Sequence, residues 1–171
     1  MRKHSVCLIA VMTVAALGGP AASRASAQNK VGGHIGFVLP LVSRANGETT
    51  TLSDDFTIGF PVGITVRKSE TFAFDLELVP GVQNKPLHVG LTVHPGVVCG
   101  VGGGWGAGAR LAFDVNEASW GFTPILNHGL LKVGSDSTLF GELVLPIRFR
   151  EDGRRKSFTS VGFGVHIGVG F

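Results

Sequence analysis

Among the residues whose types suit acid–base chemistry, three are candidates for a catalytic site: His94, Glu142 and His166. A histidine next to a carboxylate can move a proton, and with a nucleophilic serine the same pair supports hydrolysis of an ester. His166, however, is followed by Ile167 and Gly168, so no serine lies two positions further on. We therefore predict no catalytic site and retain His166, Glu142 and His94 as the alternative candidates.

Two other patterns lack the context that their usual chemistry needs. Residues 102–107 (GGGWGA) match the G-x-G-x-x-A pattern of dinucleotide-binding loops, but no helix follows to receive a phosphate. Such glycines suit a bent strand or a narrow interior. His88 and His94 would share one face of a strand, yet six residues separate them by about 20 Å. We predict no metal site and no cofactor.

A basic segment lies near the C-terminus of the chain. Five basic residues stand there against the two acids Glu151 and Asp152, and they are Arg148, Arg150, Arg154, Arg155 and Lys156. A solvated loop tip accounts for such a segment. The alternative is that the last four of them bind phosphate groups.

The elements that position these residues begin after an N-terminal address. Residues 1–27 have a basic start, an apolar run from Val6 to Leu17 and the small-residue ending Ala25-Ser26-Ala27, which together are typical of a signal peptide. The run is too short for a membrane-spanning helix, which needs about 20 apolar residues. Removing the peptide takes three of the 15 basic residues and none of the 12 acidic ones, so the domain at 28–171 is formally neutral.

Apolar and small or polar residues alternate with period two along the rest of the chain, which predicts β-strands with two different faces. From Phe56 to Val66, for example, every second residue is apolar and the residues between are Thr57, Gly59, Pro61, Gly63 and Thr65. We count eight such strands, with only residues 118–133 irregular. Each has about the 10 residues that cross a bilayer when tilted.

Composition decides which face points outward. Charged residues make up 16% of the chain and glycines number 26, so the polar face would be a poor solvent-exposed wall for a soluble barrel. The sequence therefore predicts an eight-stranded antiparallel up-and-down transmembrane β-barrel, with apolar residues toward lipid and glycines toward the lumen.

The chain resembles the small eight-stranded outer-membrane β-barrel proteins of diderm bacteria. The signal peptide carries the resemblance together with the last strand, in which Val161, Phe163, Val165, Ile167 and Val169 alternate up to the C-terminal Phe171. The resemblance implies export through the Sec pathway, recognition of Phe171 by the barrel-assembly machinery, and a monomer whose partners are outer-membrane lipids and lipopolysaccharide. It also implies periplasmic termini, with external connections at 43–55, 81–86, 115–118 and 150–156 and periplasmic turns at 68–70, 99–100 and 134–137.

Charged residues on the polar face would point into the lumen, where burial requires them to be paired. We expect a structural ion-pair plug built from Arg67, Asp75, Glu77, Arg110, Asp114, Glu142, Arg148 and His166, with His34, His88 and His94 on the same face. Turn positions predict that Glu142 faces His166 and Ile147 faces Val161. They also place Gly63 opposite Asp75 and Ile64 opposite Phe74.

These observations predict a small non-catalytic barrel with a structural role or a role in envelope and lipopolysaccharide interaction, and no nucleic-acid partner. One alternative is a lipid A-modifying enzyme, a deacylase or acyltransferase, which would use the candidates His166, Glu142 and His94. The other is a soluble periplasmic barrel that binds an apolar ligand inside.

Overall fold

A computed structural model describes residues 30–115, 117–151 and 157–171. The predicted signal peptide and the basic residues Arg154, Arg155 and Lys156 lie outside the described residues. Within those ranges the chain forms strands β1 (Lys30–Ala45), β2 (Glu48–Thr51), β3 (Thr57–Gly59), β4 (Val62–Arg67), β5 (Phe72–Asn84), β6 (Leu87–Gly102), β7 (Trp105–Asp114), β8 (Ser119–Val133), β9 (Ser137–Val144), β10 (Ile147–Glu151) and β11 (Ser157–Gly170). No helix among the described residues could cross a membrane.

The strands form a closed antiparallel ring of eight. Strands β3 and β4 together make one member, between β1 and β5, and β9 and β10 make another, between β8 and β11. The pairing of β1 with β11, from His34 with Gly170 to Ala45 with Ser160, closes the ring. Short β2 pairs only with the end of β1 and extends it as a hairpin. The predicted eight-stranded up-and-down barrel is confirmed.

A proline lies at each of the two interruptions. Pro61 separates β3 from β4, and Pro146 separates β9 from β10; a proline has no N–H to donate to a ladder. Their carbonyl groups still accept hydrogen bonds from the neighbouring strands, Pro61 from the Gly36 N–H (3.1 Å) and Pro146 from the Gly162 N–H (2.8 Å). The ring therefore stays continuous across both breaks.

The burial pattern shows which face points outward. Along β5, Asp75 and Glu77 are buried, whereas Phe74, Leu76 and Leu78 are exposed. The same inversion holds around the barrel, where the exposed large apolar side chains include Ile35, Phe37, Phe56, Phe60, Val62, Ile64, Leu111, Phe113, Trp120, Leu143, Val161 and Ile167. The polar face is the interior, and the apolar face is the outer surface.

The connections agree with the sequence in part. Asn46 and Gly47 have φ of 53° and 85°, which is typical of a tight hairpin turn, and β1 and β2 occupy much of the loop expected at 43–55. Strand β5 likewise runs to Asn84, which leaves only Lys85 and Pro86 in the connection expected at 81–86. The connection at 115–118 lies where it was predicted.

The turn predicted at Cys99 and Gly100 is wrong. Strand β6 continues through both residues to Gly102, and the chain reverses at Gly103 and Gly104. Gly102, Gly103 and Gly104 have positive φ (98°, 60° and 79°). This backbone conformation costs little free energy for glycine and considerably more for most other residues. The turn therefore forms at the glycine run, which the dinucleotide-like pattern had singled out.

Two of the predicted registers were tested by strand pairing. Glu142 pairs with His166 and Ile147 with Val161, as expected. The predicted register of β4 with β5 is wrong, because Gly63 pairs with Glu77 and Ile64 with Leu76. The connection between these strands is centred on Glu70, one residue beyond the expected centre, and this moves the register by two residues. A two-residue shift keeps every side chain on its predicted face.

The irregular segment at 118–133 is the continuous strand β8, which spans Ser119–Val133. It pairs with β7 through Pro124, which lies opposite Ala109. The Pro124 carbonyl accepts a hydrogen bond from the Leu145 N–H (3.0 Å), and β8 continues through this residue.

Candidate functional site

Glycines create the space for large polar side chains inside the narrow barrel. The His34 ring lies directly over Gly63, its partner on β4, so that a Cβ at Gly63 would collide with the ring. A Cβ at Gly96 would lie 2.6 Å from Cγ of Arg110, again a cross-strand partner. Gly63 and Gly96 therefore each pair with a large lumenal residue on the neighbouring strand.

Arg110 is the centre of a buried cluster. Its Nε donates to Asp75 Oδ2 (2.7 Å) and its Nη1 to Glu142 Oε1 (2.7 Å), while Nη2 lies 3.6 Å from Glu77 Oε2. All four side chains are buried. Charge-assisted hydrogen bonds of this kind are the strong ones in a low-dielectric interior. One guanidinium thus links carboxylates from β5 and β9 across the lumen.

Three histidines surround these carboxylates. His34 Nε2 lies 2.9 Å from Glu77 Oε2, and His94 Nδ1 lies 3.2 Å from Glu77 Oε1. His166 Nδ1 lies 3.2 Å from Glu142 Oε1. Each imidazole therefore contacts a carboxylate that also pairs with Arg110, and the seven groups form one network.

Neutral groups complete the network. Thr65 Oγ1 donates to Asp75 Oδ1 (2.8 Å), and Asn127 Nδ2 approaches Glu142 Oε2 (3.4 Å).

Arg148 donates to Thr123 Oγ1 (3.0 Å) and lies 3.1 Å from His94 Nε2. Within the described residues, Arg148 forms no ion pair with a carboxylate.

The cluster divides the lumen into two cavities. An inner cavity of about 440 Å³, at the end that carries Lys30 and Phe171, reaches His34 and Asp75. An outer cavity of about 410 Å³, toward the β5–β6 and β7–β8 connections, reaches His94 and His166. Arg110 and Glu142 line both cavities, so the cluster forms the septum between them.

Four of the predicted lumenal residues lie away from the central contacts. Arg67 is exposed at the inner cavity, and Asp114 accepts from Thr92 Oγ1 (2.6 Å) at the outer one. Arg148 lines the outer cavity beside His94. His88 lies at the outer rim, 3.1 Å from Glu117, with both side chains exposed.

The structure places the three acid–base candidates in the same cluster but not in one triad. Glu142 contacts His166, whereas His94 contacts Glu77, its cross-strand partner. His166 is 1% exposed, and in the described part of the chain its Nε2 has no hydrogen-bond partner. A serine hydroxyl therefore does not complete a nucleophilic arrangement at this nitrogen.

The remaining predicted residues lie at the two ends of the barrel. Arg150 is exposed at the outer end, where its Nη2 lies 4.0 Å from Asp114 Oδ2. Phe171 is anchored through its backbone, since its N–H donates to the Gly33 carbonyl (2.9 Å) and its own oxygen accepts from the Gly33 N–H (2.8 Å). Its ring is largely exposed.

The neutral side chains of the network were not predicted from the sequence. Thr65 and Thr123 belong to the lumenal face by alternation, so the period-two pattern could have found them. Asn127 lies in the segment that looked irregular, and no local signal assigned its face. Asn127 became recognisable only when pairing with β7 and β9 fixed the phase of β8.

The fold defines a class of protein: an eight-stranded antiparallel barrel with an apolar outer surface, the class of small outer-membrane barrels that the sequence resembles. In this chain a charged septum lies inside the barrel. No protein-family model matches the chain, and no curated protein sequence matches it. In fold the chain is similar to the crystal structure of the outer membrane protein OprG from Pseudomonas aeruginosa, with a TM-score of 0.44 and 9% sequence identity over 82% of this chain and 93% of OprG.

Proposed function

We propose that this protein is an integral outer-membrane barrel with a closed lumen, which has a structural role in the cell envelope and contacts lipopolysaccharide through its outer end. The signal peptide at 1–27 would direct its export. The observation that carries the proposal is the combination of an apolar outer wall with a septum of buried charges centred on Arg110.

The outer wall supports membrane insertion. A soluble monomer rarely exposes apolar patches larger than a few hundred Å², whereas here large apolar side chains are exposed on β1, β4, β5, β7 and β11 alike. Such a wall suits the hydrocarbon region of a bilayer. The same wall argues against the soluble periplasmic barrel, because these apolar side chains would be exposed to water. The buried charges of Asp75, Arg110 and Glu142 also occupy the middle of the interior, where an apolar ligand would have to bind.

The septum supports a closed lumen. Eight strands leave an interior that side chains can fill, and here one guanidinium, three carboxylates and three imidazoles occupy its middle. Opening a pore would require these groups to separate, which is costly for buried pairs. We therefore expect purified barrels in planar lipid bilayers to conduct no ions, and stable single-channel currents would contradict this part of the proposal.

Lipopolysaccharide contact is assigned to the basic segment at the outer end. We expect replacement of Arg150, Arg154, Arg155 and Lys156 by serine to weaken binding of the folded barrel to lipopolysaccharide vesicles and to reduce its dependence on salt. The matched control replaces four exposed bases at the opposite end, Lys30, Arg67, Lys68 and Lys132. Equal binding by both variants would overturn the assignment.

Heat-dependent gel mobility tests insertion itself. The protein extracted in detergent should migrate faster before boiling than after it, as a folded barrel does. If the mature chain instead remains monomeric in buffer without detergent, the membrane proposal fails.

The 3.2 Å contact between His166 and Glu142 favours one second candidate, a lipid A-modifying enzyme. Against it, His166 faces the interior rather than the lipid, and its Nε2 has no partner among the described residues. Mass spectrometry of lipid A from cells with and without the protein decides between the two. A modification that His166→Ala abolishes would replace the structural proposal with the enzymatic one.

A further inference from the structure

The septum holds more negative than positive charge. Asp75, Glu77 and Glu142 are buried around Arg110, the one guanidinium among the described residues that pairs with them. Counting Arg148, which lies beyond His94, still leaves the cluster one charge negative when the imidazoles are neutral. A buried charge without compensation is expensive, so either protons on the histidines or a bound cation must supply the balance.

Three of these groups present ligand atoms to a common point. One donor atom each from His34, Asp75 and Glu77 lies within 4.8 Å of the other two, and all three residues are buried. A transition metal with bonds of about 2.1 Å would hold such atoms about 3.4 Å apart in tetrahedral geometry. One separation is already near this value, His34 Nε2 to Glu77 Oε2 at 2.9 Å, and Asp75 Oδ1 lies on the other side of the same ring, 3.8 Å from Nδ1. A small rotation of the Asp75 carboxylate or of the imidazole would bring the three ligand atoms from within 4.8 Å of one another to metal-binding distance.

Arg110 leaves part of these carboxylates available. It bonds Oδ2 of Asp75 closely, whereas Oδ1 accepts from the neutral hydroxyl of Thr65. Its approach to Glu77 is longer, at 3.6 Å. The Glu77 oxygen that faces His34, Oε2, is the one that Arg110 approaches at this longer distance. A cation bound between His34 and these two carboxylates would therefore displace no close contact of Arg110.

The fold also provides both the position and an entrance. Asp75 and Glu77 are alternate residues on β5, and His34 reaches them from β1 across β4 because Gly63 has no side chain. The inner cavity is lined by His34 and Asp75 and leads to the end of the barrel that carries Lys30 and Phe171. An ion arriving by this route would meet His34 and Asp75 first, and Glu77, which lines the outer cavity, would complete the site from within the septum.

We propose that His34, Asp75 and Glu77 form a binding site for a divalent transition-metal ion inside the barrel. One imidazole nitrogen and two carboxylate oxygens suit Zn²⁺ or Mn²⁺ better than the oxygen-preferring Mg²⁺ or Ca²⁺. The sequence predicted no metal site, because the only spacing considered was that of two histidines on one strand, His88 and His94. The ligands proposed here come from β1 and β5, with β4 between them.

The test uses the full mature barrel, folded in detergent, without a histidine tag and stripped with EDTA. After equilibration with Zn²⁺ or Mn²⁺ and gel filtration, elemental analysis should find about one ion per barrel for one of the two metals. His34→Gln and Glu77→Gln should each weaken binding at least about tenfold, since loss even of indirect support costs metal sites that much. His88→Gln, which removes a histidine paired with a glutamate at the exposed rim, should bind like the wild type.

A glycine pair tests the geometry without removing a ligand. Gly63→Ala places a methyl group where the His34 ring lies and should also weaken binding, whereas Gly81→Ala, whose Cβ would meet nothing closer than 3.9 Å, should not. Heat-dependent gel mobility verifies that each variant is folded. If the ligand variants fail to fold, X-ray absorption of the wild-type zinc form decides, with one imidazole and oxygen ligands expected.

Three results would overturn the proposal. The first is a wild-type barrel that retains no ion, in which case protonated histidines carry the balancing charge. The second is equal binding by wild type and His34→Gln. The third is a sulfur ligand in the absorption spectrum, which would place the ion elsewhere.

Discussion

Arg110 is the side chain on which the interior depends most. It pairs with carboxylates from two strands, and its removal would leave Asp75, Glu77 and Glu142 facing one another in a buried space. The removal of one partner from a buried ion pair costs about 3–5 kcal/mol, mainly because the remaining charge is uncompensated. The importance of the residue thus follows from what it neutralises.

We expect Arg110→Ala to lower the free energy of unfolding by about 3–5 kcal/mol, or to prevent folding altogether. Urea unfolding in lipid vesicles, followed by tryptophan fluorescence, measures the change. Arg150→Ala is the matched control, because this arginine is exposed and lies 4.0 Å from its carboxylate; it should cost less than about 1 kcal/mol. Equal effects of the two variants would mean that the septum contributes nothing to stability.

At the scale of elements, two hydrogen bonds hold a charged carboxylate in the loop after the β1–β2 hairpin. Asp54 Oδ2 accepts from both the backbone N–H (2.9 Å) and Oγ1 (2.7 Å) of Thr51. These hydrogen bonds favour the charged carboxylate and hold the pKa of Asp54 below its ordinary value. Since the folded-state pKa is lowered, the stabilisation is present above the ordinary pKa and is lost as the pH falls through the lowered one.

Thr51→Val should therefore raise the pKa of Asp54 toward its ordinary value, because the largest of the lowering contacts disappears. Carbon-13 NMR of the aspartate carboxyl groups follows the titration. Thr49→Val, on the same short strand without a contact to Asp54, should leave the pKa unchanged. If Asp54 titrates in both variants as it does in the wild type, the hydroxyl of Thr51 does not donate to Asp54 in solution.

The elements also show why some of this structure could be predicted and some could not. The faces of β5 and β11 followed from local alternation, because period two survives any even shift of register, and Asp75, Glu77 and His166 were assigned to the interior on that basis. The contact between His94 and Glu77 was not predicted, because it depends on the pairing of β5 with β6. Such pairings depend on turn lengths, and a one-residue difference at Glu70 or in the run Gly102 to Gly104 changes them.

For the whole molecule, the outward apolar wall predicts an effect that depends on height along the barrel. Leu78 lies at the middle of β5 and is 44% exposed, whereas Leu87 begins β6 at the rim and is 79% exposed. In a bilayer, Leu78→Arg should cost about 2–4 kcal/mol and Leu87→Arg about 0–1 kcal/mol. Unfolding in vesicles measures both, and the opposite order would be incompatible with a membrane at mid-barrel.

Assembly is the second property of the whole molecule. Because the Phe171 ring is largely exposed and the residue pairs with Gly33 through its backbone, Phe171→Ser should change the stability of the finished barrel little. The same variant should reduce insertion in cells, if the terminal residue is an assembly signal. Fractionation of cells expressing Phe171→Ser, with Phe37→Ser as an outward-facing control on β1, measures this; normal insertion would contradict the signal.

The pairing of glycines with large lumenal residues has a consequence for descent. The His34 ring leaves no room for a side chain at position 63, and Arg110 leaves none at position 96. Both positions are therefore restricted to glycine although neither contributes a polar group to the cluster. In a lineage that replaced His34 by a small residue, position 63 would be released to vary, and a larger residue there would then prevent the return of histidine. Inherited changes at the two positions should therefore arise together and be hard to reverse.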